Sequence, residues 1–318
     1  MAKRWGAPQT TLRDRVVVSG IGVHSGKPVS MVLKPAPADT GIVFQRIDGK
    51  ASEAVIIRAS IDNLSATDSC TTIARMGLSI ATVEHLLAAF NGLGIDNIAV
   101  EIDGAEVPMM DGSAGAFVAL IDQVGLVALA APRRFIKIVK PLRLVRGSSF
   151  AELLPFDGRR FEIDIDFDSP LIGRQAFVID LTPATFRRDL ARARTFGFLR
   201  DVEAYWARGL ALGSSLDNTV VLGDDGVINR EGLRFADEFA RHKALDAVGD
   251  LALAGAPIIG AYRSYRGGHW LNARIVEALL ADSDAWTFVE GPSVPRRDPL
   301  RAEVPVRLAG AAFGPEKS

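Results

Sequence analysis

One order of elements runs through this chain twice, and that order most constrains its fold. In the first half, strand-like segments at Arg15–Ser19, Val29–Lys34, Gly41–Gln45, Ala54–Ile57 and Cys70–Ala74 precede a helical pattern opened by Thr82. Val83, Leu86, Leu87 and Phe90 share one face of that helix, which stops at Asn91-Gly92 and Gly94. Asn97–Ile102 then reads as a strand, and Ser113 as the N-cap of a second helix running to Val124. After Pro132-Arg133-Arg134 the order begins again. Phe135–Lys140, Leu142–Arg146, Phe150–Leu154, Arg160–Phe167 and Gln175–Asp180 are strand-like, and Thr182 caps a short helix. Helical segments at Val202–Arg208 and Phe235–Leu253, the strand Ile258–Tyr265 and a last helix over Gly268–Leu280 follow.

The two long helices also echo each other. Glu84-His85-Leu86-Leu87-Ala88-Ala89 leads to Gly94 and Ile95, and Arg241-His242-Lys243-Ala244-Leu245-Asp246-Ala247 leads to Gly255 and Ile258. Each carries a histidine in the first half of an apolar helix that ends in glycine before an apolar strand. Any two amphipathic helices look partly alike, but a duplication of this kind implies two similar α+β layers. Packed helix to helix, such layers would bring His85 and His242 together. A length of 318 residues also suits two domains at roughly 150 residues each. We therefore expect an N-terminal α+β domain at 1–131, a C-terminal one at 132–290, and an extended, Pro- and Arg-rich tail at 291–318.

Composition excludes several classes. With 37 basic against 38 acidic residues, the chain has no global field for nucleic acid. Its single cysteine, Cys70, allows neither an internal disulfide nor a cysteine-rich metal cluster. No apolar run follows Lys3 and Arg4, so no signal peptide is expected. The nearest approaches to a membrane span, Gly115–Ala131 and Ala244–Tyr262, carry internal charges and read as helices buried in protein.

Chemistry gathers around three of the four histidines. His242 and Asp246 stand i, i+4 on one helix face, with Asp250 a turn further. Alone, such a pair is more often a hydrogen-bonded surface feature than a metal site. Glu84-His85 puts a carboxylate beside a candidate ligand; since helix neighbours point ~100° apart, one can coordinate while the other faces a bound water. Together His85, His242 and Asp246 would make three protein ligands and leave a fourth position for water, the arrangement of a catalytic zinc. Gly267-Gly268-His269 allows close backbone approach to a ligand at a helix start. Arg192–Phe198 combines a hydroxyl, two aromatics and cations. Leu212–Asn218 lacks a P-loop lysine and is given no phosphate role, and His24 reads as structural.

Seven segments carry a resemblance: Ser19–Gly26 (SGIGVHSG), Thr82–Ala89 (TVEHLLAA), Gly92–Asn97 (GLGIDN), Asp111–Ala114 (DGSA), Ala193–Phe198 (ARTFGF), Asp237–Leu251 (DEFARHKALDAVGDL) and Gly268-His269. In this order the chain closely resembles the zinc-dependent UDP-3-O-acyl-N-acetylglucosamine deacetylases of lipid A biosynthesis. The resemblance implies an α+β fold of two similar domains, each a sheet with a helical layer, the helices sandwiched between the sheets and Zn²⁺ at the junction. It implies His85, His242 and Asp246 as zinc ligands, Glu84 as general base, His269 as a second catalytic group with Asp250 orienting it, and Thr195 at the reacting carbonyl. Lys243 would lie near the diphosphate, Asp166 and Phe167 would hold the uridine, and Phe196, Arg266 and Gly268 would also contact substrate. The implied partner is UDP-3-O-acyl-GlcNAc, whose acetyl group leaves as acetate, and the implied setting is the cytoplasm of a Gram-negative bacterium; a monomer is expected. Two positions depart from the pattern: Arg266 stands where some members have lysine, and Gly213 is followed by Ser214 instead of a second glycine. A non-catalytic UDP-sugar or acyl-chain binding protein on the same fold, or a hydrolase of another amide, are the alternatives.

Overall fold

Alternating buried and exposed side chains, the mark of strands with one covered face, run along Val16–Ile21 and Pro28–Pro35. The computed structural model describes residues 7–47 and 55–291. In chain order the first half runs β1 (Pro8–Leu12), β2 (Val16–Ile21), β3 (Pro28–Pro35), β4 (Ile42–Arg46), β5 (Ile56–Arg58), β6 (Leu64–Ala66), β7 (Thr72–Arg75), β8 (Leu78–Ile80), α1 (Glu84–Leu93), β9 (Ile98–Ile102), α2 (Gly115–Val124) and β10 (Leu126–Pro132). Among the described residues, β2-β3-β9-β4-β5 form one sheet, β6-β7-β8 a second and β1-β10 a third. β9 is central to the first, antiparallel to β3 with Leu33 opposite Val100, and parallel to β4 with Phe44 opposite Val100.

The second half runs β11 (Arg134–Ile138), β12 (Leu142–Arg146), β13 (Ser149–Leu154), β14 (Arg159–Asp166), β15 (Arg174–Asp180), α3 (Pro183–Thr185), β16 (Phe196–Phe198), α4 (Val202–Ala207), β17 (Val220–Leu222), α5 (Glu238–Asp250), β18 (Ile258–Tyr265), α6 (His269–Ala281) and β19 (Trp286–Glu290). Its main sheet is built on β18, antiparallel to β13 and parallel to β14 and β11; β12, β15 and β19 extend it. Ile258–Tyr262 are all buried, as befits a central strand covered on both faces.

Helices α1 and α5 are buried almost all round, which makes them core helices and not surface ones. They pack against each other, while α5 lies against β14 and β15, and α6 against β12 and β13. Gly249 sets the closeness of the α1–α5 crossing. A Cβ there would sit 2.0 Å from the backbone oxygen of Glu84, so any side chain would force the helices apart. Further along the crossing, Asn91 Nδ2 donates to Val248 O at 2.8 Å.

Several elements differ from the expectations. The apolar run Gly115–Ala131 is not one helix: α2 ends at Gly125, whose φ of 75° leaves the helical region, and the remainder becomes β10. α2 begins one residue past the expected start, with Ala114 at its N-cap, although Ser113 Oγ accepts the Gly115 amide at 3.0 Å. Thr182 caps α3 in a reciprocal box with Thr185, but a π-helical turn at Phe186–Leu190 follows. α5 starts at Glu238, three residues after the expected Phe235, and gives way to a 3-10 turn at Leu251–Ala254. Strands β1, β6, β8, β10, β16, β17 and β19 are not expected from periodicity. The expected strand residue Ala54, and the tail beyond Gly291, lie outside the described residues. Among the described residues no helix is long and apolar enough to cross a membrane.

Candidate active site

The α1–α5 crossing brings the two echoed histidines together. Their rings meet edge to face with centroids 4.9 Å apart. Asp246, one turn after His242, completes the group: its Oδ1 lies 3.4 Å from His85 Nε2 and 3.3 Å from His242 Nε2. All three residues are buried. His242 Nδ1 is 3.1 Å from the carbonyl oxygen of Ala193, an arrangement in which the ring donates from Nδ1 and leaves the Nε2 lone pair free. Burial pushes the His242 imidazole down to about 4, so it is neutral at pH 7, the form a metal takes.

Asp246 Oδ1 is buried and has no hydrogen-bond partner among the described residues. An orphaned carboxylate oxygen in the interior is costly unless a cation meets it. Burial works to raise the Asp246 carboxyl, but the neighbouring His242 and Lys243 hold it well below the usual carboxylate range. Its other oxygen, Oδ2, accepts from Lys243 Nζ at 2.6 Å. Around a tetrahedral ion with bonds of ~2.0–2.1 Å, ligand atoms stand roughly 3.3–3.4 Å apart. The spacing from Asp246 to each histidine, 3.4 and 3.3 Å, therefore fits a small dication held by two nitrogens and an oxygen.

Two acid–base groups flank the triad. Glu84, buried at the start of α1, accepts the Thr71 amide at 3.0 Å, and burial raises its carboxyl above the ordinary value. His269 opens α6 and its Nδ1 lies 2.8 Å from Asp250 Oδ2. Burial alone would lower that imidazole, but the charge and hydrogen bond of Asp250 override it and raise it to about 9. Asp250 is 1% exposed and is itself held by Thr71 Oγ1 at 2.6 Å and Asn272 Nδ2 at 2.7 Å.

A cavity of about 770 Å³ opens over these groups. Glu84, His85, His242, Lys243, Asp246, His269, Thr195, Phe196 and Phe167 all line it. Thr195 is fixed there by backbone bonds to Gly112 and Val220. Phe196 stands on β16 between Phe167 and Phe239, in edge contacts at 5.6 and 4.8 Å. Asp250 sits behind His269, outside the lining. Asp166, Arg266 and Gly268 are not among the lining residues either. The Asp166 carboxylate accepts the Tyr265 hydroxyl at 2.6 Å, and the Arg266 backbone, at φ 50°, pairs with Asp164 O.

Local patterns concealed four features of the site. His24, read as structural, lines the cavity, and its Nδ1 accepts the Ala211 amide at 3.4 Å. Ser214, Ser215 and Leu216, from the segment given no phosphate role, line it too. Thr71 and Asn272 hold Asp250 from opposite halves of the chain. Arg194, 2% exposed, grips the fully buried Glu238 through its amide and Nε at 3.0 and 2.9 Å. That ion pair ties the first turn of α5 to the segment carrying Ala193 and Thr195. A buried cation two residues before Phe196 gives no local sign of its partner 44 positions away.

Comparison with known proteins joins this geometry to a family. The sequence model described as UDP-3-O-acyl N-acetylglycosamine deacetylase matches residues 9–281. The chain belongs to that family. It is 55% identical over 285 residues to the UDP-3-O-acyl-N-acetylglucosamine deacetylase of Brucella ovis, covering 89% of this chain and 99% of the relative. The protein of the same name from Brucella abortus gives the same figures, and that from Brucella melitensis is 54% identical over the same shares. Within the deacetylase family match lie every candidate ligand and acid–base group, from Glu84 to His269, as well as Arg266.

Proposed function

We propose that this chain is a zinc-dependent hydrolase that removes the N-acetyl group of UDP-3-O-acyl-N-acetylglucosamine and releases acetate, a step of lipid A biosynthesis. The observation that carries the reading is the unpartnered Asp246 Oδ1, facing two histidine Nε2 atoms beside Glu84 and His269 in one cavity. We read the chain as two α+β domains, 1–131 and 132–290, whose helices lie between two sheets. The contact of α1 with α5, and of α5 and α6 with the sheet built on β18, supports this.

His85, His242 and Asp246 would hold the zinc ion, which when bound lowers the pKa of a water toward ~7 and polarises a carbonyl oxygen. Glu84 takes a proton from the attacking water; its raised carboxyl is a stronger base than an exposed one. The Thr195 hydroxyl donates to the acetyl oxygen as charge gathers there. His269, held at Nδ1 by Asp250, gives the leaving nitrogen a proton from Nε2, without which the amine is a poor leaving group.

Lys243 lies within reach of a diphosphate. Phe167 and Phe196 offer a face for the uridine, with Asp166, Arg266 and Gly268 as further contacts. Phe198, Leu199, Val202, Trp206, Leu216 and Ile228 form an apolar wall suited to the acyl chain. The enzyme is read as a cytoplasmic monomer with no nucleic-acid partner.

Acetate release from UDP-3-O-acyl-GlcNAc, abolished by a chelator and restored by Zn²⁺, is the expected result. A metal-loaded protein that leaves this substrate intact would end the reading. The pH profile is expected to be a bell. Activity rises as Glu84 loses its proton, which burial moves up and a bound dication moves down, and falls as His269 loses its own. Because Asp250 raises His269 to about 9, the basic limb lies above the ~6.5 of free imidazole, and a bound dication moves it down from 9. A basic limb unchanged in His269→Ala would remove His269 from this role.

A further inference from the structure

We infer that Thr71 is a positioning residue that fixes the base Glu84 and the Asp250–His269 pair relative to one another across the α1–α5 crossing. Thr71 precedes β7, is 1% exposed, and belongs to neither helix nor to the cavity wall. Its three polar groups are all committed. The amide donates to Glu84 Oε2 at 3.0 Å, and the carbonyl accepts the Val83 amide at 3.2 Å, at the head of α1. The hydroxyl donates to Asp250 Oδ1 at 2.6 Å, at the last residue of α5. The same hydroxyl oxygen is 3.3 Å from His269 Nδ1.

Asp250 needs that anchor. Its Oδ2 is held by His269 and by Asn272, which in turn accepts the Tyr262 hydroxyl. Its Oδ1 has Thr71 as hydrogen-bond donor among the described residues. With the hydroxyl gone, the carboxylate is held at Oδ2 alone and can tilt about that oxygen, and the ring it orients tilts with it. Glu84 is anchored through the Thr71 backbone, so a side-chain substitution leaves its hydrogen bond in place. The hydroxyl thus acts on His269 alone. Misplacement of a reacting group by ~1 Å costs on the order of 10² in rate.

This inference rests on the deacetylase reading, and the two can fail separately. Kinetics of acetate release are compared for zinc-loaded wild type, Thr71→Val, Thr71→Ala and Thr71→Ser. Thr71→Val keeps the volume and removes the hydroxyl; Thr71→Ala covers the case in which the valine variant does not fold. The expected result is kcat lower by about 10²-fold in the valine and alanine variants, with KM and zinc affinity unchanged and Tm lowered because Asp250 Oδ1 loses its buried donor, and wild-type kcat and Tm in Thr71→Ser. NMR of the His269 ring supplies a readout that needs no turnover: its Nδ1 proton signal should shift in Thr71→Val and return in Thr71→Ser. If wild type binds zinc but releases no acetate, the deacetylase reading falls while the ring signal still reports on Thr71. Unchanged kcat and ring signal in Thr71→Val, or loss of folded protein in both hydroxyl-free variants, overturns the inference.

Discussion

Glu84→Gln is expected to keep zinc bound and to lose turnover by a factor on the order of 10²–10⁴, the usual contribution of a general base. Glutamine preserves the shape of the side chain and can still accept the Thr71 amide, so the head of α1 stays in register. It cannot take a proton from water. The buried carboxylate is also a charge removed from a desolvated position, so the variant should melt no lower than wild type. Metal content, kcat and Tm measured on one preparation test all three points. Turnover near the wild-type rate would mean that the proton goes elsewhere.

The second large effect comes from the ligands. His85→Ala should lose zinc and activity together. It leaves Asp246 Oδ1 and His242 Nε2 facing each other at 3.3 Å without the imidazole from α1. The loss of metal affinity should exceed the ~10–100-fold seen when a group behind a ligand is changed. A bound ion stabilises the folded chain by mass action, so zinc should raise the Tm of wild type and not of the variant. Titration with Zn²⁺ followed by melting curves checks this. Stoichiometric zinc at unchanged affinity in His85→Ala would take His85 out of the site.

Other residues show where local reading stops. Alternation along Val29–Lys34 and Asn97–Ile102 is a local property, and β3 and β9 form where it occurs. Leu126–Pro132 has no alternation, because among the described residues β10 has only β1 as partner and leaves its side chains half covered, so the run reads as helical. The i, i+4 spacing of His242 and Asp246 is likewise built into one helix and was legible at once. The separation of Thr71 from Asp250 by 179 positions is not. Nor is the pairing of Arg194 with Glu238, or the turn of His24 into the cavity wall.

By itself the sequence determined most of the longer strands and helices, that two similar helices each carry a histidine, and which donor atoms are available to a metal and a proton. These follow from periodicity and spacing, which act over a few residues. Only the tertiary structure decided that the two helices cross closely enough, at Gly249, for those donors to converge within 4.8 Å. It also decided that burial and neighbouring charge drive His242 down and His269 up, although both begin as the same imidazole. Desolvation and Coulomb energy depend on what lies across a few ångströms of space, and no local pattern records that.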